Sequence, residues 1–261
     1  MTLDLLQIVL GAFSGALVGF SLGLVGGGGS ILAVPLMVYL VGVKSPHIAI
    51  GTSALAVAAN AALGLFNHAR AGNVKWKCGL LFAGAGILGA FAGSTVGKAF
   101  DGQKLLFMFA LVMIAVGILM LKRRNREGRG DVVLGRDNAE KLGAYGLGTG
   151  AFSGFFGIGG GFLIVPGLIA ATDMAMINAV GTSLVAVTSF GLTTAFNYAL
   201  SGLVDWALAG VFIAGGLLGS LAGTRAAKKL SSSGQLVFVF AILIFVVAAY
   251  MLYKSGMAAF G

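Results

Sequence analysis

The chain has 261 residues, of which 58% are hydrophobic and only 10% are charged, and its formal net charge is +9. Soluble domains carry about 25% charged residues, so this composition excludes an ordinary soluble protein and indicates a polytopic membrane protein. The basic residues cluster between apolar runs and are not interleaved with aromatic residues on a polar surface, which argues against a nucleic acid partner.

Each half of the chain is predicted to hold five apolar segments. A helix needs about 20 residues to cross a hydrocarbon core of about 30 Å, and backbone polar groups in lipid must pair internally, so we expect an all-α protein. Asp4 stands where a cleaved leader would carry Lys or Arg, so we expect the first segment to be retained. The segments are 5–25, 31–43, 47–66, 78–97 and 105–121, then 142–158, 161–172, 177–200, 207–224 and 235–253.

An internal repeat relates the two halves at an offset of 130 residues. GTSALAV, which begins at Gly51, aligns with GTSLVAV, which begins at Gly181, and FNHARAGNVKW aligns with FNYALSGLVDW. Because the GTS triplet, the FN pair and both tryptophans share one offset, we interpret the chain as a duplication. It divides into a first membrane repeat, 1–121, a basic cytoplasmic linker, 122–141, and a second membrane repeat, 142–261.

The distribution of Lys and Arg predicts how the repeats are oriented, because cytoplasmic loops collect these residues. If all five segments of each half cross, the halves are inverted, and thirteen cations lie inside against four outside. If 31–43 and 161–172 are re-entrant, each half has four spans, the halves are parallel, and the count is eleven against six. The charges favour inverted repeats, while the short length of these two segments leaves half-membrane helices open.

Two glycine-rich stretches interrupt the apolar segments at matching places. They are GLVGGGGSILAVP (23–35) and GFFGIGGGFLIVP (154–166). Glycine permits sharp turns and close backbone approach, and we expect a helix to begin shortly after Gly29, with Pro35 near its opening turn. Such broken helices in duplicated transporters point their amino ends, with roughly half a positive charge each, at anionic substrates. The alternative, that these glycines only permit tight helix packing, stays open.

These motifs resemble those of a known family. GLVGGGGSILAVP, GTSALAV and HARAGNVKW in the first half, with GIGGGFLIVP, AVGTSLVAV and GLVDW in the second, resemble the TauE/SafE family of sulfite and organosulfonate exporters. The resemblance extends from about Leu10 to Leu252, and Ile158 inside the second glycine string is a minor departure. It implies transport of small sulfur-containing or carboxylated anions, such as sulfite or sulfoacetate, across the bacterial inner (cytoplasmic) membrane.

The candidate substrate contacts are glycines and polar residues in or near the apolar segments. Hydroxyls early in a helix cap it or contact an oxyanion, and amides inside apolar spans bond a neighbouring helix or a ligand. Arg70 either recruits an anion or is a solvated topology charge. The candidates are Gly27, Gly28, Gly29, Ser30, Thr52, Ser53, Asn60, Asn67, His68, Arg70, Gly159, Gly160, Gly161, Thr182, Ser183 and Asn197.

The single cysteine, Cys78, excludes an internal disulfide and a site with several cysteine ligands. The positions of the acidic residues bear on which ions the protein could move. No acidic residue falls in the middle of a predicted span, whereas carboxylates inside a membrane mark cation or proton paths. No catalytic or metal-binding pattern such as HExxH is present. We therefore expect a non-enzymatic anion exporter that works by alternating access in the lipid bilayer, without metal or cofactor. A non-transporting scaffold or channel-like subunit, a cation carrier and a homodimeric assembly stay open.

Overall fold

The computed structural model of the protein describes residues 4–122, 132, 134–157, 161–230 and 235–260, and these residues form a helical bundle. The α-helices are α1 (Leu5–Val25), α2 (Ala33–Pro35), α3 (Pro46–Arg70), α4 (Trp76–Ala99), α5 (Gly102–Lys122), α6 (Arg136–Phe156), α7 (Gly161–Thr172), α8 (Met176–Ala199), α9 (Trp206–Leu230) and α10 (Gln235–Phe260).

Five helices in the described part of the chain are long and apolar enough to cross a membrane. At about 1.5 Å per residue, the 24 residues of α4 extend about 36 Å, which exceeds a hydrocarbon core of about 30 Å. The prediction of an all-α protein with several membrane-spanning helices is confirmed. The spans are Leu5–Leu24, Pro46–Arg70, Trp76–Ala99, Met176–Ala199 and Trp206–Gly223.

Some helices extend beyond the apolar segments from which they were predicted. α6 begins at Arg136, inside the predicted linker, and α10 continues to Phe260. Hydrophobicity marks only the lipid-facing part of a helix, and the backbone hydrogen bonds continue into polar sequence outside it. The other predicted linker residues from 123 to 133, apart from Val132, lie outside the described residues.

The first glycine-rich stretch differs from the regular helix expected after Gly29. α1 ends at Val25, and a 3₁₀ helix, Gly26–Leu32, begins at once at Gly26, whose φ is 66°. Pro35 has no N–H to donate, so it removes one α-helical bond. A π-helical turn, Leu36–Leu40, follows it, in which the Val41 amide donates to the Leu36 carbonyl at 2.9 Å. The helical path therefore starts earlier than predicted and is irregular.

Close glycine contacts join α1 to α9. A Cβ on Gly15 would overlap the carbonyl of Phe212, and a Cβ on Gly19 would overlap the carbonyl of Gly216. Residue numbers rise together along both helices, so α1 and α9 run parallel. Small residues allow backbones to approach closely in membranes, where dispersion contacts drive helix association.

The same kind of contact joins α4 to α6. A Cβ on Gly146 would overlap the carbonyl of Phe82, and a Cβ on Gly154 would overlap the carbonyl of Ala90. These helices also run parallel. Each of the two glycine-joined pairs therefore takes one helix from the first repeat and one, α6 or α9, whose close glycine contacts lie in the second repeat.

The antiparallel helices α3 and α8 lie at the centre of the bundle. Gly51 packs against Tyr198, while Gly64 packs against Leu184, so residue numbers run in opposite directions. In the spanning windows of α3 and α8, 67% and 72% of the residues are buried, against 39% for α1, α4 and α9. This difference places α3 and α8 inside and the glycine-joined pairs around them.

The bundle has two ends, which are defined by where its helices begin and finish. At the linker end α3 finishes and α4 and α8 begin, and the Lys75 amide donates to Thr182 Oγ1 at 2.9 Å. At the distal end α8 finishes and α3 and α9 begin, and the Asp205 amide donates to Thr52 Oγ1 at 2.9 Å. α5 begins at the distal end beside Pro46, so its last residue leads toward the linker.

Candidate functional site

The two glycine-rich stretches start at opposite ends of the bundle. Gly26 packs against Val180, near the start of α8, whereas Gly157, with a φ of 68°, packs against Ile50, near the start of α3. Tyr198, at the Ile50 level, lies roughly 27 Å from Val180 along α8 at about 1.5 Å per residue. The stretches come together further along, where the 3₁₀ helix Gly26–Leu32 contacts α7.

The predicted glycine contacts are only partly described. Gly27 and Gly28 lie in the 3₁₀ helix and Gly161 opens α7, whereas Gly159 and Gly160 lie outside the described residues. Gly29 packs directly on the α1 backbone at Leu22, and the next residue, Ser30, is completely buried. Backbone packing thus accounts for Gly29, and substrate contact by the glycine-rich stretches stays a prediction.

The GTS triplets attach interhelical loops to the central helices. Thr52 and Thr182 are both completely buried, and their hydroxyl oxygens accept from the amides of Asp205 and Lys75. A Cβ on Gly51 would overlap the carbonyl of Leu203 in the same loop as Asp205. Thr52 therefore fixes the loop that leads into α9, and Thr182 fixes the loop that leads into α4. The sequence pattern alone did not distinguish this structural role from anion contact.

The serines of the triplets bond within their own helices. Ser53 Oγ donates to the Ile50 carbonyl at 3.0 Å, and Ser183 Oγ donates to the Val180 carbonyl at 2.7 Å. Such bonds to the preceding turn are the usual way in which a buried hydroxyl inside a helix is satisfied.

Asn60 is the predicted site residue whose side chain has no protein partner. It lies near the middle of α3, it is completely buried, and neither Oδ1 nor Nδ2 makes a hydrogen bond to any residue that the structure describes. Its amide packs against Gly216 of α9, which has no side chain to fill that space. An unpaired amide in an apolar interior costs about 1–3 kcal/mol by protein mutational data.

Asn197 is the opposite case, because its amide belongs to a satisfied network at the distal end. Its Nδ2 donates to Ser94 Oγ at 2.6 Å and to Thr95 Oγ1 at 2.9 Å. Its Oδ1 accepts from Lys98 Nζ at 2.9 Å, and the same ammonium donates to Ser201 Oγ at 2.8 Å. The network ties α4 to the last turn of α8.

Three further candidates lie at the linker end of α3. His68 is 5% exposed, and its Nδ1 lies 3.5 Å from the Asn73 amide nitrogen. Arg70 is exposed, and its guanidinium lies over the Phe66 ring at 4.1 Å from the centroid. Asn67 is half-buried. An exposed cation on an aromatic face is typical of a membrane surface, and recruitment of an anion by Arg70 stays a prediction.

Sequence reasoning missed three polar residues near the distal end. Lys98 was only one of the four cations counted outside, and Thr194 and Tyr198 were not among the candidates. The hydroxyl oxygens of Thr194 and Tyr198 are buried without a partner among the described residues. The signal that could have found Tyr198 is its place after the FN pair, where the first repeat has His68.

The described residues give no indication of a metal site. Within them, no group of three or more His, Cys, Asp or Glu side chains lies close enough to hold an ion. Cys78 is a free, buried thiol in the first turn of α4.

Comparisons with known proteins agree with one another across most of the chain. The family model described as "Sulfite exporter TauE/SafE" matches residues 11–251. A "Probable membrane transporter protein" of Xylella fastidiosa (strain Temecula1) is 52% identical over 259 residues, which cover 98% of each chain. The "Probable membrane transporter protein YunE" of Bacillus subtilis is 27% identical, over 95% of this chain and 97% of its own. No solved structure matches.

Proposed function

Because the chain belongs to the TauE/SafE family of membrane transporters, we propose that it exports small sulfur-containing or carboxylated organic anions, such as sulfite or sulfoacetate, by alternating access. The membrane in this proposal is the bacterial inner membrane, with the basic linker on the cytoplasmic side. An interior that is electrically negative would then assist the exit of an anion.

Alternating access is supported by contacts that recur at the offset of 130 residues. The bond from Asp205 to Thr52 at the distal end is repeated by the bond from Lys75 to Thr182 at the linker end. The central helices α3 and α8 run in opposite directions, and so do α5 and α10, where Gly117 packs against Phe245. These relations favour inverted repeats, the arrangement in which transporters hold a substrate near the midplane.

The single observation that carries the substrate assignment is the unpartnered amide of Asn60. It lies on a central helix near the middle of the bundle, where water is excluded and a polar group must find a partner. Its NH₂ group can donate to an oxyanion, and the energy recovered by this pairing would contribute to binding. The residue at the equivalent place in the second repeat is Phe190, so this donor is present once.

The placement of carboxylates favours an anion over a cation. Among the described residues, Asp101, Asp173 and Asp205 lie between helices, and none lies in the middle of a span. A carboxylate at the bilayer centre costs about 2.5 to 3.5 kcal/mol and marks a cation or proton path. The alternatives make different predictions: a cation carrier shows flux that depends on Na⁺ or divalent metals, and a scaffold shows none.

Flux measurements on proteoliposomes test this proposal. We expect wild-type protein to release radiolabelled sulfite or sulfoacetate, faster when the inside is negative. Asn60→Leu keeps the side-chain shape but removes both polar atoms, so we expect flux to fall at least tenfold while thermal stability stays equal or rises. Thr188→Val is the matched control, since its hydroxyl already donates to the Leu184 carbonyl at 2.8 Å.

Two outcomes would contradict the proposal at different levels. Wild-type protein that moves none of these anions, or moves only cations, removes the transport assignment. Anion flux that is equal in wild type and the Asn60→Leu variant keeps the transport assignment and removes Asn60 from the site.

A further inference from the structure

The distal end of the bundle contains two buried hydroxyls without a protein partner. Tyr198 and Thr194 are both 0% exposed, and within the described part of the chain neither side-chain oxygen makes a hydrogen bond. Residues four apart lie on one face of a helix, and Tyr198 packs against Gly51 of α3. Two unused hydrogen-bond donors are therefore stacked one turn apart on the central helix α8.

A cation lies near the aromatic ring that carries one of these hydroxyls. Lys98 Nζ is 5.9 Å from the centroid of the Tyr198 ring. It donates to the Asn197 backbone carbonyl at 3.0 Å and to Asn197 Oδ1 at 2.9 Å, and its third bond is to Ser201. All these acceptors are neutral, so these contacts leave the charge of the ammonium uncompensated.

His47, on α3, lies close to the Tyr198 ring. Its ring centroid is 6.3 Å from that of Tyr198, and its Nε2 lies 3.1 Å from the Phe100 carbonyl oxygen. A carbonyl only accepts, so Nε2 carries a hydrogen and donates it to Phe100. The cluster therefore offers a ligand the ammonium and the two hydroxyls as donors.

We propose that Lys98, Tyr198 and Thr194 form a second anion site, separate from Asn60, which takes a small oxyanion such as a sulfite, sulfonate or carboxylate. This inference rests on the proposed function. An oxyanion presents several acceptor oxygens and a negative charge, which match two hydroxyl donors and an ammonium. Hydrogen bonds to a charged acceptor are roughly twice as strong as those between neutral groups, so the anion replaces the neutral acceptors of Lys98.

In the arrangement described, Tyr198 and Thr194 are buried, Lys98 is half-buried and Ser201 is exposed. The bonds of Lys98 to Asn197 and Ser201 tie α4 to the last turn of α8 and to the loop that follows it. An anion that takes over donors of Lys98 breaks part of this tie. Binding at this site is thereby coupled to the release of α4 from α8 at the distal end.

The site occurs at one end only. At the offset of 130 residues, Thr194 corresponds to Gly64 and Tyr198 to His68, so the linker end has no equivalent pair of hydroxyls. With the linker on the cytoplasmic side, the second site faces outward, where an exporter releases its anion.

Two substitutions that each remove a single oxygen test the inference. Tyr198→Phe and Thr194→Val delete hydroxyls that bond no described residue, so their removal leaves no protein group in the described structure without its partner. The matched control is Thr193→Val, because the Thr193 hydroxyl donates to the Ser189 carbonyl at 2.8 Å. Binding of radiolabelled sulfite and sulfoacetate is measured on nanodisc-reconstituted protein, together with thermal stability and proteoliposome flux.

We expect each test variant to bind the transported anion about tenfold more weakly, a change of about 1.4 kcal/mol, with thermal stability unchanged or raised. The control variant should bind within twofold of wild type. If wild type transports an anion but both test variants bind like the control, the second site is overturned and the proposed function stands. If the test variants lose stability and affinity together, the hydroxyls are structural and the second site is overturned. If wild type moves no anion, the proposed function and this inference both fail.

Discussion

The hydrogen bonds of Thr52 and Thr182 allow a quantitative prediction about stability. Valine has the shape of threonine but no hydroxyl, so Thr52→Val leaves the Asp205 amide without its acceptor, and Thr182→Val does the same to the Lys75 amide. Both threonines are 0% exposed and both bonds are 2.9 Å long. Leaving a buried donor unsatisfied costs about 1–3 kcal/mol, and we expect similar losses at the two sites.

The two losses should add. Thr182 and Tyr198, which lies at the level of Thr52, are separated by roughly 24 Å along α8 at about 1.5 Å per residue. Substitutions more than about 10 Å apart that share no partner usually add within about 0.5 kcal/mol. The double variant is therefore expected to lose about 2–6 kcal/mol, the sum of the single losses.

Unfolding of the purified protein in mixed detergent micelles, titrated with a denaturing detergent and followed by circular dichroism, measures these losses. Ser53→Ala is the control, since its hydroxyl bonds only the Ile50 carbonyl of its own helix, and we expect it to change stability by less than about 0.5 kcal/mol. The reasoning is refuted if Thr52→Val is as stable as this control. Unchanged stability with a raised KM for the anion would instead assign Thr52 to the substrate.

Three further results are expected. Gly19→Leu should prevent α1 from packing on α9 and abolish the folded protein in size-exclusion profiles, whereas Gly84→Leu, which has open space around it, should not. Asn197→Leu should destabilise the protein by about 1–3 kcal/mol in thermal unfolding, because Lys98, Ser94 and Thr95 each lose a hydrogen bond to the Asn197 side chain. Unchanged stability of this variant would contradict the network. Cys78, at 1% exposure, should react with a maleimide only as fast as the protein opens, and rapid labelling of the native protein would show that α4 is accessible.

The helical class could be predicted from the sequence because it depends on local properties. Long apolar runs fix both the number of residues in lipid and the need for internal hydrogen bonds. The boundary of α6 could not be predicted in the same way, because Arg136 and its neighbours continue the helix in polar sequence. The irregular helix from Gly26 onward also differed from the regular helix predicted after Gly29. Its geometry depends on how Gly26 packs against α8 and Gly29 against α1.

The candidate site depended on contacts between distant parts of the chain. Asn60 was singled out because amides are rare in apolar spans, but its lack of a partner depends on α9. The partner of Thr52 is 153 residues away, so the sequence could not decide between capping, loop attachment and substrate contact. The importance of Lys98 was hidden for the same reason, since its acceptors, on α8 and in the loop after it, are about 100 residues further along the chain.

The glycine-joined pairs have a consequence for any attempt to divide the protein. α1 packs against α9 and α4 packs against α6, so the part of the chain on each side of the basic linker packs against helices from the other part. A gene cut within that linker should yield two fragments that are degraded when made singly and survive when made together in one membrane. Assembly of the molecule would then wait for the last helices to leave the ribosome.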